Sequence, residues 1–136
     1  MGAGLTALGA RVHIFVQPSA RTSFAALFRD VLDCKVLERD FGLEYPILFV
    51  GFADGSGFSV EFTEDAPNER AETSIDNQNA FRGAWIEFRT TDLAGYQQRL
   101  REAGVGEFRH PGSNHVYFSA PGGQVFRLLD VAYQGP

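Results

Sequence analysis

Apolar residues recur at two periods along this chain, and the switch between them marks its elements. The run VHIFV, Val12 to Val16, has the short apolar pattern of a strand. After it, Phe24, Leu27, Phe28, Val31 and Leu32 fall on one helical face, with Thr22 or Ser23 as the expected N-cap. Three strand candidates follow: CKVLERDF, PILFVGFAD and FSVEFTE. The last two meet at DGSG, where Asp54-Gly55 between apolar runs predicts a hairpin.

The second half repeats this order. AWIEFRT alternates as a strand, and Asp92 is the expected cap of a helix over LAGYQQRLREA. Leu93, Tyr96, Leu100 and Ala103 form its apolar face, and Gly104 stands where a left-handed glycine closes a helix. VGEFRH reads as a strand, and HVYFSA, the turn PGG and QVFRLLDV read as a closing hairpin. Strand, helix and three strands, stated twice, predict an α+β protein of two tandem βαβββ modules. The expected boundaries are a flexible tail over 1–10, a first module over 11–65, a polar connector over 66–82 and a second module over 83–133. Ile75 and Phe81 are the connector's sizeable apolar residues.

The two copies align residue by residue. HIFV matches WIEF and SVEF matches VFRL, so His13 corresponds to Trp85 and Glu61 to Arg127. Arg127 is the odd member, a guanidinium flanked by Val125, Phe126, Leu128 and Leu129, where burial is costly unless something pairs with it.

Composition narrows the function classes. The chain has 136 residues, 44% of them hydrophobic, which is enough for a packed core. Its 13 phenylalanines are expected mainly in that core. A net charge of -5 argues against nucleic acid or an anionic membrane as partner, though not against a small basic pocket. The longest apolar run, around Ile47 to Ala53, is far too short to span a bilayer. The start MGAGLTALGA lacks the basic region of a signal peptide, and the one cysteine, Cys34, suits a reducing compartment, so a cytoplasmic location is expected. Cys34 itself reads as a structural thiol, because no His or acid pattern surrounds it.

Three stretches, VHIFVQPSARTSFAALFRDVLD, TTDLAGYQQRLREAGV and SAPGGQVFRLLD, with the doubled element order, resemble the vicinal oxygen chelate superfamily over about residues 11 to 132. This superfamily includes glyoxalase I, extradiol dioxygenases, and fosfomycin- and bleomycin-resistance proteins. The resemblance implies a glyoxalase-like curved mixed sheet that cups a small organic ligand, and a homodimer. It also implies that metal-using relatives hold a divalent ion with His, Glu or Gln on the first and last strand of each module. Mapped here, those positions are His13, Glu61, Trp85 and Arg127. His13 and Glu61 suit a metal such as Fe, Mn, Zn or Ni. Indole offers no lone pair in its ring plane and guanidinium is a permanent cation, so the other two do not.

The expected function is therefore small-molecule binding of the bleomycin-resistance type, with no cofactor and without a complete catalytic metal site. Arg127 is expected to face Glu61 across the cup floor, to bind an anionic group of the ligand, or to form an internal salt bridge. Expected pocket residues are His13, Phe15, Glu61, Trp85, Glu87, His115 and Arg127; no catalytic residue is assigned. Trp85, Glu87 and Arg89 share one face of their strand, which reads as pocket or as solvated surface. His115, Tyr117 and Ser119 share another, and His110 reads as solvated. One alternative is a metal-dependent lyase, isomerase or ring-cleaving dioxygenase using His13, Glu61 and a third donor such as His115. The other is a non-catalytic interaction module.

Overall fold

The computed structural model describes residues 4–67, 83–110, 112 and 114–135. The first module runs β1 (His13–Val16), a 3₁₀ turn (Pro18–Ala20), α1 (Arg21–Ala26) continued by a π turn (Leu27–Val31), β2 (Lys35–Arg39), β3 (Ile47–Gly51) and β4 (Gly57–Phe62). The second runs β5 (Trp85–Thr90), α2 (Leu93–Glu102), β6 (Glu107–Phe108), β7 (Tyr117–Ser119) and β8 (Val125–Asp130). Two four-stranded mixed sheets result, ordered β1-β4-β3-β2 and β5-β8-β7-β6. The pairs β1–β4 and β5–β8 are parallel and the others antiparallel. The predicted pair of βαβββ units is what forms.

Local signals account for most boundaries. Asp92 caps α2, its carboxylate accepting from the Gly95 amide at 3.1 Å. Gly104 follows α2 at φ +79° and Gly55 turns the β3–β4 hairpin at φ +87°, both conformations that favour glycine. The first helix departs from expectation. Pro18, with its fixed φ, starts the helical chain ahead of Thr22 and Ser23, and the Ser23 hydroxyl donates back to the Ala20 carbonyl instead of capping. Residues 4–10 of the expected tail are exposed. The expected connector lies outside the described residues from 68 onward, Ile75 and Phe81 included.

Phenylalanine packing explains how the modules join. Phe24 and Phe28 are fully buried on the first helix. The Phe28 ring lies 5.2 Å from Phe58 of sheet 1, 5.2 Å from Phe126 of sheet 2 and 6.3 Å from Phe88 of β5. Phe58 and Phe126 also touch each other, with centroids 5.7 Å apart. Ile14, Val16, Val60, Phe118, Leu128 and, from α2, Leu100 complete this one core. The buried faces of both sheets therefore share this core with the first helix. Each fully buried ring contributes on the order of 1.5–3 kcal/mol relative to exposure.

A polar clasp adds to this joint. Asp33, at φ +58° after the first helix, accepts from the Tyr96 hydroxyl at 2.9 Å and from the Arg99 guanidinium, which also donates to the Asp30 carbonyl at 2.7 Å. These bonds hold the Asp33 carboxyl below the usual carboxylate range.

Candidate functional site

The opposite faces of the two sheets carry the polar residues singled out from the sequence. The ladder registers place them in rows. In sheet 1, Phe15 pairs with Glu61, and His13 pairs with Ser59, which in turn pairs with Phe49. In sheet 2, Trp85 pairs with Val125, and Glu87 pairs with Arg127, which pairs with Tyr117. Phe15–Glu61 and Glu87–Arg127 thus occupy equivalent rungs, so the internal alignment of His13 with Trp85 and Glu61 with Arg127 holds in space.

On sheet 1, alternation leaves His13 and Phe15 outward while Ile14 and Val16 are buried. His13 Nδ1 is 2.7 Å from Ser59 Oγ, and its Nε2 is 3.3 Å from Glu61 Oε1. Phe15 packs edge-on against His13 at 5.1 Å and stays half-exposed. Ser59 was not singled out from the sequence; its place beside His13 follows only from the β1–β4 register. An open cleft of about 440 Å³ runs past His13, Ser59, Phe49 and Leu37.

On sheet 2 the guanidinium of Arg127 is the centre. Its side chain is only 11% exposed. Nη2 and Nε donate to Glu87 Oε1 at 2.5 and 3.2 Å. The guanidinium carbon sits 4.1 Å from the Trp85 ring centroid and 6.0 Å from that of Tyr117. Charge-assisted hydrogen bonds and a stacked ring offset the cost of taking a cation out of water. Burial lowers the affinity of Arg127 for its proton, but the bonds to Glu87 and Tyr117 outweigh it and its pKa stays above the ordinary value. Burial likewise pushes the Glu87 carboxyl up, and Arg127 and Arg89 outweigh that, holding it below the usual range.

Arg127 is thus paired within its own module. The expected contact with Glu61 is replaced by two pairs, Arg127 with Glu87 and Glu61 with His13. Trp85 remains 42% exposed beside this buried pair. Trp85, Glu87 and Arg89 do share one face, and it is the face that collects the candidate residues. Arg89 donates to Glu87 Oε2 at 3.1 Å and to the Tyr133 carbonyl at 2.6 Å.

The remaining candidates sit nearby. His115 precedes β7 and packs edge-on against Tyr133 at 4.7 Å. His110, expected to be solvated, lies edge-on to Tyr117 at 4.4 Å, and burial lowers its pKa. A proline-flanked turn gave no signal of that contact. Cys34 is half-buried against the joint between the modules, and burial, helped by Asp33, raises its pKa to about 11. That is the behaviour of a structural thiol.

The divalent ion implied by the resemblance does not fit these side chains. Both nitrogens of His13 already face Ser59 and Glu61, and the equivalent positions offer an indole and a guanidinium. Among the described residues no group of three or more His, Cys, Asp or Glu is placed to hold a metal.

No protein-family model and no curated protein sequence matches the chain. Solved structures do match. The antibiotic binding protein TnmS3 from Streptomyces sp. CB03234 superposes with a TM-score of 0.63 at 16% identity, covering 94% of this chain and 98% of that one. The fosfomycin resistance protein FosX from Listeria monocytogenes gives 0.63 at 16% identity, covering 98% and 97%. A member of the glyoxalase/bleomycin resistance protein/dioxygenase superfamily from Sphaerobacter thermophilus gives 0.62 at 16%, covering 92% and 98%. The chain has the vicinal oxygen chelate fold that these structures share.

Proposed function

We propose that the protein binds a small organic molecule without a catalytic metal, in a cup completed by a second copy of the chain. The observation that carries this reading is the locked Arg127–Glu87 pair beneath a half-exposed Trp85. It puts a cation and a flat aromatic surface where metal-using relatives keep donors. The outer face of sheet 1, with His13, Phe15 and Glu61, supplies the opposite wall from the partner copy. Two features support closure between copies. The candidate residues of one chain fall on two separate sheets, and among the described residues β1 and β5 each lie at the edge of their sheet. The similarity to a protein described as antibiotic binding agrees with sequestration rather than chemistry. A cytoplasmic location belongs to the same reading and fits the lone half-buried thiol.

The test uses the sole tryptophan as reporter. Planar aromatic solutes should quench Trp85 fluorescence saturably in the presence of EDTA, and light scattering should give twice the chain mass. A monomer with no saturable quenching would overturn the proposal. Turnover of a substrate that EDTA abolishes would favour the metal-dependent enzyme instead.

A further inference from the structure

Beside the Phe28 cluster the joint between the modules does not close completely. A cavity of about 710 Å³ opens there, between the end of the first helix, the β3–β4 hairpin and β5. Its apolar walls include Leu32, Phe52, Phe58, Ile86, Phe88 and Leu128. Each of these belongs to the shared core or packs against it. The Phe52 ring lies 6.2 Å from Phe58 of its own module and 5.4 Å from Phe88 of the other. Small-molecule sites are commonly concave, mostly apolar and about 300–1,000 Å³ in volume, and this cavity has all three properties. His13, Phe15, Trp85 and Arg127 do not line it, so it is a different place from the outer-face site.

The polar groups of the lining narrow what it can hold. Four charged side chains take part in it: Asp33, Asp54, Glu87 and Arg89. Each is already matched inside the protein. Asp33 accepts from Tyr96 and Arg99, Asp54 from the amide and hydroxyl of Ser56, and Glu87 from Arg127 and Arg89. Arg89 donates to the Tyr133 carbonyl as well. The Cys34 thiol, also on the wall, faces the Leu32 carbonyl at 3.7 Å. A charged ligand would give up its hydration here for groups whose charges are already engaged, whereas an apolar one loses nothing by leaving water. We infer that this cavity between the modules is a second ligand site, for an uncharged apolar molecule with aromatic rings that pack against Phe52 and Phe88. It goes beyond the outer-face reading and stands without it.

Two fluorescent probes with one skeleton test the inference: N-phenyl-1-naphthylamine, uncharged at neutral pH, and 1-anilinonaphthalene-8-sulfonate, its anionic counterpart. The intact protein should bind the neutral probe saturably and about tenfold or more tightly than the sulfonate, since only the latter must desolvate a charge. At about ten times its Kd the neutral probe should slow alkylation of Cys34 by iodoacetamide at pH 9 by about fivefold or more, through occupancy of the cavity that the thiol lines. Cys34→Phe and Ile86→Trp each put a larger ring into the cavity and should weaken the neutral probe by about tenfold or more. Thermal melting shows which variants fold, and the alkylation arm needs neither of them. No saturable binding of the neutral probe would overturn the site. Equal affinity for the sulfonate would overturn the uncharged class. Binding that leaves Cys34 alkylation at its free rate, or undiminished affinity in a folded filled variant, would place the probe elsewhere and overturn the cavity as its seat.

Discussion

Arg127 and Glu87 stand directly opposite in the parallel β5–β8 ladder, with Nη2 of one 2.5 Å from Oε1 of the other. Their register makes the contact obligatory, since side chains on facing rungs of one sheet face are neighbours. It also explains why a cation is tolerated in an apolar strand. Alternation puts Phe126 and Leu128 on the packed side and Arg127 on the other, where a carboxylate and an indole await it.

Removing the guanidinium should therefore destabilise the protein moderately. Arg127→Met is expected to lower unfolding free energy by about 1–3 kcal/mol, less than for a fully buried pair, because Arg89 still neutralises Glu87. Chemical denaturation of Arg127→Met, Glu87→Leu and the double variant measures the coupling. The double variant should be more stable than the sum of the single losses implies. Strict additivity would mean that the pair contributes nothing.

The joint between modules depends on Phe28. Phe28→Ala should cost about 3–5 kcal/mol, since the ring is fully buried among Phe58, Phe88 and Phe126. Unfolding should stay a single transition with a lower midpoint, because both halves share that core. Separate transitions for the two modules would contradict the shared core.

Acid should loosen the clasp between the helices. Asp33 has a folded pKa below its unfolded value, so its pairing with Arg99 and Tyr96 stabilises fully above the ordinary carboxylate pKa of about 3.9. That contribution is lost as pH falls through the depressed folded value. Asp33→Asn, chosen because Asn also tolerates positive φ, should melt below the parent at pH 7. The gap should close as pH is lowered past the carboxylate range, and added salt should narrow it at neutral pH. A gap independent of pH would assign Asp33 a purely conformational role.

Cys34 should be slow to alkylate. With its pKa pushed up to about 11, the folded protein should react with iodoacetamide at pH 8 at least tenfold more slowly than the denatured chain. Equal rates would show that the thiol is neither buried nor shielded.

Much of this architecture was legible in the sequence because it rests on local signals. The 2-residue and 3.6-residue apolar periods gave both modules, Asp92 and Gly104 bounded α2, and Asp54-Gly55 placed a hairpin. The internal repeat even placed His13 against Trp85 and Glu61 against Arg127. The partners of those residues were not legible, because pairing depends on which sheet faces meet. The sequence does not say that Phe28 packs on both sheets, nor that Arg127 meets Glu87 while Glu61 meets His13. Ser59 beside His13, and His110 against Tyr117, are likewise products of register and packing. At the first helix Ser23 looks like a cap, but its hydroxyl donates to the Ala20 carbonyl, and Pro18 starts the helical chain.

The proposed function has Arg127, paired with Glu87, standing where a metal ligand would. Elemental analysis of protein purified without chelators tests it most directly. Fe, Mn, Zn and Ni should be substoichiometric, with no change in His13→Ala or Glu61→Ala. Near-stoichiometric metal that disappears in either variant would contradict it.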